Sequence, residues 1–356
     1  MPTPFRRGAS TAAALLAIVA PLAAARAQQP AGLAPREVPA HSLPVPTTVS
    51  PEMQRIIAMP LRPGWNTPPT TAEGWRAAQE AGAAAARQAL PALAQRLRVR
   101  VEPTVIAGVK AYTITPETIP PENRERLLVH VHGGCYVLNP AEAALGEAIF
   151  MAGLGGFRVI SVDYRMPPEA YFPAALDDVV AVWKATAANT DPRNMAIFGS
   201  SAGGALTLEA VLRAKAEGLP LPAAIAPGTP MADVSGPGDS FRTNALVDNV
   251  LVSPDGFCDA ATRFYADGHD LSDPLLSPVY GDLRNFPPTI LTTGTRDLLL
   301  SNTVRMHRGL RQAGVEAVLQ VYEGQSHAQF YRDDTAPETR EAFAEIAGFF
   351  NKHLGR

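Results

Sequence analysis

The chain has 356 residues, a length that fits one large α/β domain or two small domains. Apolar residues make up 46% of the sequence and charged residues 18%, which is enough for a globular core and far from the composition of a disordered chain. The formal net charge of −3 argues against nucleic acid or an anionic membrane surface as a partner.

Residues 1–27 have the pattern of a secretory signal peptide. Arg6 and Arg7 give a positive start, an apolar run covers residues 12–25, and Ala25-Arg26-Ala27 matches a small-x-small cleavage site. The run is shorter than the roughly 20 apolar residues of a membrane-spanning helix. We therefore expect a periplasmic or secreted protein with no stable membrane insertion after signal cleavage. Tethering by an uncleaved signal and twin-arginine export, suggested by the arginine pair, remain open.

Residues 28–98 are predicted to form a proline-rich arm followed by N-terminal cap helices. Six prolines between residues 30 and 51 favour an extended arm over a helix, because proline fixes φ and removes a backbone donor. Thr70 and Glu73 then have capping-box spacing, and an alanine-rich helical run continues to Leu90, where Pro91 interrupts. This helix buries little by itself, so we expect it to lie over the active site as a lid.

From residue 99 to residue 356 the chain alternates between strands and helices. The predicted strands are Val99–Val105, Val109–Thr115, Leu127–His132, Arg158–Tyr164, Met195–Phe198, Ala223–Ala226, Thr289–Thr293 and Val315–Tyr322. The predicted helices are Glu142–Leu154, Leu176–Thr186, Ala202–Glu217, Asn302–Ala313 and Pro337–His353. This pattern predicts an α/β fold with a mostly parallel sheet covered on both faces, which binds ligands beyond the carboxyl ends of its strands. Residues 230–280 break the alternation and are predicted to be a cap insertion that packs with the N-terminal helices.

A nucleophile motif follows one of these strands. Gly199-Ser200-Ser201-Ala202-Gly203 fits G-x-S-x-G and lies between a predicted strand and a predicted helix, as the motif requires. The turn must be sharp enough to push one hydroxyl out of the sheet, and side chains at Gly199 or Gly203 would clash with neighbouring elements. Ser200 is the rival nucleophile, but the spacing places Ser201 at the apex.

Two glycines end another strand and are candidates for an oxyanion hole. Gly133 and Gly134 follow His132, and their backbone N–H groups could approach a ligand closely. Acyl transfer builds negative charge on a carbonyl oxygen, which such donors stabilise. Together with the N–H of Ala202 at a helix N-terminus, they would form the hole. The alternative is a plain glycine turn, with His132 as its scaffold.

Asp297 and His327 complete a candidate triad. Both follow predicted strands, so both fall at the edge where Ser201 emerges, and the order Ser–Asp–His is the one expected for this fold. A serine hydroxyl needs an imidazole to take its proton, and a carboxylate must hold that imidazole in the right tautomer. The competing acids Asp267, Asp270 and Asp273 follow no predicted strand. The remaining histidines fall in the arm, a strand, the cap segment or helices: His41, His130, His269, His307 and His353.

Taken together, these residues resemble the bacterial hormone-sensitive lipase family of esterases over about residues 100–355. The matching stretches are His132-Gly133-Gly134, residues 161–169 (SVDYRMPPE), residues 172–178 (FPAALDD), the Ser201 elbow with Gly203-Gly204, Asp297, and Gly324 to His327. The resemblance implies an α/β-hydrolase fold with a helical cap, activity on short acyl esters, and no cofactor or metal. It implies Ser201 as nucleophile, His327 as general base and Asp297 as its partner. It also implies Gly133, Gly134 and Ala202 as oxyanion donors.

Two departures from the family pattern concern the substrate. Cys135 replaces a third glycine and adds bulk beside the acyl site, and Ser200 stands where an acidic residue is common. The second departure resembles a branch that includes lactone hydrolases, so a cyclic ester is an alternative substrate.

Amide cleavage and a non-catalytic ligand-binding protein on the same fold are further alternatives. A homodimer is compatible with the sequence. Export would allow Cys135 and Cys258 to be oxidised, but with only two cysteines we expect them to be unpaired thiols.

Overall fold

A computed structural model describes Met1, residues 34–236 and residues 238–355. The signal-peptide prediction therefore lies outside the described residues, apart from Met1. The chain divides into two compact units, Met1–Ser42 and Leu43–Arg356. In the first unit, the described residues 34–42 have no regular secondary structure. Within the described part of the chain, no helix is long and apolar enough to cross a membrane.

The second unit contains a mostly parallel sheet flanked by helices. Its strands are β1 Val99–Ile106, β2 Val109–Pro116, β3 Leu127–Val131, β4 Arg158–Val162, β5 Met195–Ser200, β6 Ala224–Gly228, β7 Thr289–Gly294 and β8 Ala317–Tyr322. Its helices are α1 Pro51–Ile57, α2 Ala72–Arg96, α3 Gly146–Gly155, α4 Ala174–Ala187, α5 Ala202–Glu217, α6 Ser240–Thr243, α7 Phe257–Ala266, α8 Leu300–Gln312 and α9 Pro337–His353. The predicted bounds of α5 and α9 match the structure, and the other bounds predicted after residue 99 differ by a few residues.

The strand order confirms the α/β-hydrolase fold expected from the sequence. The eight strands lie in the order β1-β2-β4-β3-β5-β6-β7-β8, and only the pairs β1–β2 and β2–β4 are antiparallel. Every residue of β5, β6 and β7 is buried, as expected for strands covered on both faces. The carboxyl ends of β5 to β8 therefore share one edge of the sheet.

Two apolar clusters cover the two faces of this sheet. One contains Trp183 of α4, Leu206 of α5 and Met306 of α8, all of them fully buried or nearly so. The other contains Ile149 of α3 and Phe350 of α9. Burying these side chains supplies the main stabilisation of the fold, and it fixes the sheet edge from which the candidate site rises.

The N-terminal helices differ from the sequence prediction in two ways. Residues 51–57 form α1 rather than an extended arm, because Pro51 occupies the first helical position, where its missing donor costs nothing, and the Ser50 hydroxyl accepts from Met53 N–H. Helix α2 begins after Thr71, not Thr70, and continues through Pro91 to Arg96. Leu90 and Leu93 on either side of the proline pack against the second apolar cluster, which compensates for the lost backbone hydrogen bond.

The segment 230–280, here called the cap segment, touches α2 and the loop after β3. Trp75 of α2 contacts Phe257 and Phe264 of α7, with ring centroids 5.1 and 5.5 Å apart. Cys135 and Cys258 form a disulfide with a Cα–Cα distance of 5.4 Å, so the expectation of two unpaired thiols was wrong. Their separation of 123 residues concealed this contact, which arises only because the cap segment folds back over that loop. The domain boundaries inferred from the sequence stay a prediction.

Candidate active site

Ser201 occupies a strained turn between β5 and α5. Its backbone has φ 62° and ψ −123°, outside the regions that L-residues favour, and its N–H donates to the Gly228 carbonyl at 2.9 Å. Strain of this kind persists where the surrounding structure fixes it, and it concentrates at functional sites. Ser201 is only 5% exposed. The turn thus presents a single hydroxyl at the carboxyl edge of the sheet.

The glycines on either side of this turn allow the neighbouring strand to pass closely. A Cβ on Gly199 or on Gly203 would lie 1.9 Å from the carbonyl oxygen of Val131 in β3. Real Cβ atoms do not approach backbone oxygens so closely, and the atoms in the way are backbone that cannot move aside. A side chain at either position would therefore clash with β3, as expected from the sequence.

Ser200, the rival nucleophile, points into the protein interior. It is fully buried, and its Oγ donates to Glu147 Oε1 of α3 at 2.6 Å. The other carboxylate oxygen of Glu147 lies 3.3 Å from His130 Nε2. A hydroxyl held this way has no path to a substrate, so Ser200 anchors the turn from below and leaves Ser201 as the hydroxyl available for chemistry.

Asp297 and His327 form a hydrogen-bonded acid–base pair. The distance from His327 Nδ1 to Asp297 Oδ1 is 3.0 Å, and the two residues are 3% and 0% exposed. Asp297 is itself fixed, because Oδ1 accepts from Leu299 N–H at 2.8 Å and Oδ2 accepts from the Thr293 hydroxyl at 2.8 Å. A carboxylate in this position keeps the proton of the imidazole on Nδ1, which leaves Nε2 as the basic atom.

The basic atom of His327 has no partner in the described structure. Nε2 is buried and meets no hydrogen-bond acceptor or donor among residues 34–236 and 238–355, so Ser201 and His327 are not hydrogen-bonded to each other here. Contacts between a nucleophile and its base commonly tighten only in the complex with substrate. Ser201 follows β5 and His327 follows β8, at the shared carboxyl edge of the sheet. A buried, unpaired ring nitrogen at that edge is suited to accept a proton.

Gly133 lies against Ser201, and Gly134 follows it in the chain. A Cβ on Gly133 would lie 3.0 Å from Ser201 Cβ, and Gly134 has φ 127°, a conformation that favours glycine. The Gly133 carbonyl is held by the Asn139 side-chain amide at 3.0 Å. Among the described residues, the N–H groups of both glycines have no hydrogen-bond acceptor. Ala202 heads α5, where the N–H has no intrahelical partner.

His132 supports the glycine turn. Its ring stacks on Tyr164 with a centroid distance of 4.0 Å, and its Nδ1 lies 2.9 Å from the Gly133 carbonyl oxygen. Burial lowers the pKa of His132 to about 3, so the ring is neutral near pH 7. This agrees with its expected role as a scaffold.

The residues that follow the glycines are tied to the cap segment and to α5. Cys135 is bonded to Cys258 of α7, and the Tyr136 ring stacks on Tyr265 of the same helix at 4.5 Å. The Tyr136 hydroxyl also donates to Glu209 of α5 at 2.9 Å. Residues 132–139, here called the oxyanion loop, are therefore held by a covalent bond, an aromatic stack and a buried hydrogen bond.

Asp248 is a buried acid near the triad that the sequence reasoning did not identify. Its Oδ2 accepts from the backbone N–H of Leu298 at 2.8 Å and of His327 at 3.3 Å. Burial and the charge of Asp297 raise the pKa of Asp248 to about 6. The sequence feature that could have identified it is its position in the apolar stretch Leu246-Val247-Asp248-Asn249-Val250-Leu251. An acid in such a stretch is rarely buried unless its carboxylate has partners.

The described residues contain no group of three or more His, Cys, Asp or Glu side chains arranged to hold a metal ion. The chemistry available at this edge of the sheet is that of a serine hydroxyl, an imidazole–carboxylate pair and free backbone N–H groups. That combination can attack a carbonyl carbon, move a proton and stabilise an oxyanion.

The chain is similar to known proteins in both sequence and structure. A family model described as alpha/beta hydrolase fold matches residues 128–331, a stretch that contains Ser201, Asp297 and His327. An acetyl-hydrolase of Streptomyces hygroscopicus is 30% identical over 238 residues, which cover 66% of this chain and 79% of that protein. Among solved structures, one crystal structure of an esterase has a TM-score of 0.85 and 45% identity, covering 90% of this chain and 99% of that one. Another, an esterase from the bacterial hormone-sensitive lipase family, has a TM-score of 0.75 and 29% identity, covering 86% and 99%.

Proposed function

Because the chain belongs to the bacterial hormone-sensitive lipase family of α/β-hydrolases and is a serine carboxylesterase, we propose that it hydrolyses short-chain acyl esters through Ser201, His327 and Asp297. The observation that carries the proposal is the hydrogen bond between His327 Nδ1 and Asp297, which leaves Nε2 buried and unpaired at the edge where Ser201 emerges. The strained backbone of Ser201 supports the same assignment.

In the proposed reaction, Ser201 Oγ attacks the ester carbonyl while His327 Nε2 takes its proton. The N–H groups of Gly133, Gly134 and Ala202 stabilise the oxyanion. Collapse of this intermediate expels the alcohol, which receives the proton from His327, and leaves an acyl-enzyme. Water then attacks the acyl carbon with the same help, releasing the carboxylic acid and restoring the Ser201 hydroxyl.

The preference for short acyl groups is supported by two observations. A relative with 30% identity is named an acetyl-hydrolase. In this chain, the disulfide of Cys135 also stands directly after the two glycines of the oxyanion loop, and we infer that it narrows the space for the acyl group. A cyclic ester remains the alternative substrate of the same triad.

Substrate turnover and active-site labelling together test this proposal. We expect p-nitrophenyl acetate and butyrate to be hydrolysed faster than the octanoate, and a fluorophosphonate to stop this activity by forming one adduct. Fragment-ion mass spectrometry of the tryptic peptide after Arg193 should locate the adduct on Ser201 and not on Ser200. Several lactones in the same screen decide between linear and cyclic esters.

An adduct on another residue, with activity lost, would contradict the assignment of Ser201. A protein that turns over no ester or lactone and takes no label would instead favour the non-catalytic binder. Matched ester and anilide substrates separate esterase from amidase activity.

We also propose that the protein is exported to the periplasm or secreted. The signal-peptide pattern of residues 1–27 supports this, and so does the disulfide, since disulfides persist mainly in oxidising compartments. Protein recovered outside the cytoplasm is expected to begin at Gln28 on N-terminal sequencing, and a chain that keeps Met1 would contradict cleavage. The homodimer stays a prediction, which light scattering on the same sample would check.

A further inference from the structure

Asp248 joins the two loops that carry the acid and the base. Its Oδ2 accepts from Leu298 N–H, one residue after Asp297, at 2.8 Å, and from the N–H of His327 at 3.3 Å. One carboxylate oxygen therefore receives a hydrogen bond from each loop. The acid loop follows β7 and the base loop follows β8, so the contact fixes their separation at the sheet edge.

The other oxygen of Asp248 holds the carboxylate in place. Oδ1 accepts from the N–H groups of Val250 at 2.8 Å and of Leu251 at 3.1 Å, both in the cap segment. Asp248 is fully buried, so no bulk water can replace it. Buried donors left without an acceptor are costly, and each of these four N–H groups depends on this one side chain.

Neighbouring cap residues contact the same two loops. The Asn244 side-chain amide donates to the carbonyl of Asp297 at 2.8 Å, and the N–H of Asn249 donates to the Ser326 hydroxyl at 3.2 Å. The bridge at Asp248 is thus the centre of a continuous contact between residues 244–249 and the acid–base pair.

We propose that Asp248 is a positioning residue of this enzyme, which holds the loops of Asp297 and His327 at the spacing that aligns the imidazole with Ser201. The inference rests on the proposed ester hydrolysis and adds a residue to it. Alignment matters because displacements of about 1 Å at a catalytic group can cost about a hundredfold in rate.

The charge of Asp248 adds a second effect. The titratable groups that face it are Asp297 and His327. Burial and the charge of Asp297 raise the pKa of Asp248 to about 6, so Asp248 gains a proton on moderate acidification. Each oxygen already accepts two N–H groups, so a proton on Asp248 must displace one of them and weaken the bridge.

The test is Asp248→Asn, which keeps the shape and removes the charge and one acceptor. We expect kcat for p-nitrophenyl butyrate to fall about ten- to a hundredfold, with KM changed less than about threefold. Because an asparagine at this position cannot gain that proton, the acidic limb of the kcat/KM profile should become less steep than in wild type. Asp255→Asn is the matched control: Asp255 is an exposed acid of the same cap segment and should behave as wild type.

Active-site titration with a fluorophosphonate corrects each rate for the fraction of folded enzyme. A corrected kcat equal to wild type, or a lower kcat with an acidic limb as steep as that of wild type, would overturn the role of Asp248. Either result would leave the proposed function intact, since that depends on turnover by wild-type enzyme and on the label at Ser201.

If Asp248→Asn does not fold, the pH profile of the wild-type enzyme provides the test. Two groups, Asp248 and His327, must then be deprotonated for full activity, so log kcat/KM should fall on the acidic side more steeply than a one-proton titration. A limb that fits one proton throughout would overturn the inference.

Discussion

Replacing His327 with alanine is expected to lower kcat/KM for p-nitrophenyl butyrate by about 10⁴- to 10⁶-fold. The imidazole is the only group in the described site that both contacts the buried acid and presents a basic nitrogen at the edge where Ser201 stands. Without it, the serine proton has no acceptor, and the hydroxyl is a weak nucleophile at neutral pH. Residual rate should come from the oxyanion donors and from binding.

The measurement is a rate per folded active site, with circular dichroism to verify the fold. His41→Ala is the matched control, because His41 is exposed and its one hydrogen bond to a described residue is with the Pro39 carbonyl. Asp297 retains Leu299 N–H and the Thr293 hydroxyl as donors in the variant, so its carboxylate stays partly satisfied. A loss below about tenfold would show that another base takes the serine proton.

Breaking the bond between Cys135 and Cys258 is expected to have the largest effect on stability. The bond closes a loop of 123 residues, and removing a native disulfide commonly costs about 2–5 kcal/mol in the free energy of unfolding. For a domain of this size, that corresponds to a fall in Tm of about 3–8 °C. We expect this fall in Cys258→Ser, measured by differential scanning calorimetry.

The same variant should lose activity as well as stability. Cys135 directly follows the oxyanion glycines, so freeing it from α7 loosens the loop that is proposed to present their N–H groups. We expect kcat to fall about tenfold, less than the loss of a whole oxyanion donor. A phosphine reductant should lower the Tm of wild type and leave Cys258→Ser unchanged. Equal Tm values for variant and wild type would contradict a stabilising disulfide.

Local pattern was enough to predict most of the catalytic unit. Helix α5 has the same bounds in sequence and structure, since Ser201 marks its start and Gly218 its end. Asp297 and His327 could be proposed because each follows a buried strand, and parallel strands bring their carboxyl ends to one edge. These inferences need only neighbours in the chain and the general geometry of an α/β sheet.

Predictions from local sequence were wrong where tertiary packing competes with the conformational preference of proline. Prolines favoured an extended arm at residues 51–57 and a break at Pro91, yet both regions are helical. Met53 of α1 is fully buried, and Leu93 of α2 packs beside the second apolar cluster. Burying such side chains outweighs the loss of one backbone hydrogen bond. Local sequence does not show which surface these side chains pack against.

The sequence by itself determined the class of fold and the order Ser201, Asp297, His327, because strand-following residues and glycine turns are short-range features. Only the tertiary structure decided that Cys135 bonds to Cys258 and that Asp248 contacts both triad loops. These partners lie 50 to 123 residues apart, and two such positions meet only through the path of the intervening chain. Residue types far apart in the sequence do not specify how the intervening chain folds. In the structure, the path of the chain is fixed because the cap segment packs against α2 and the oxyanion loop.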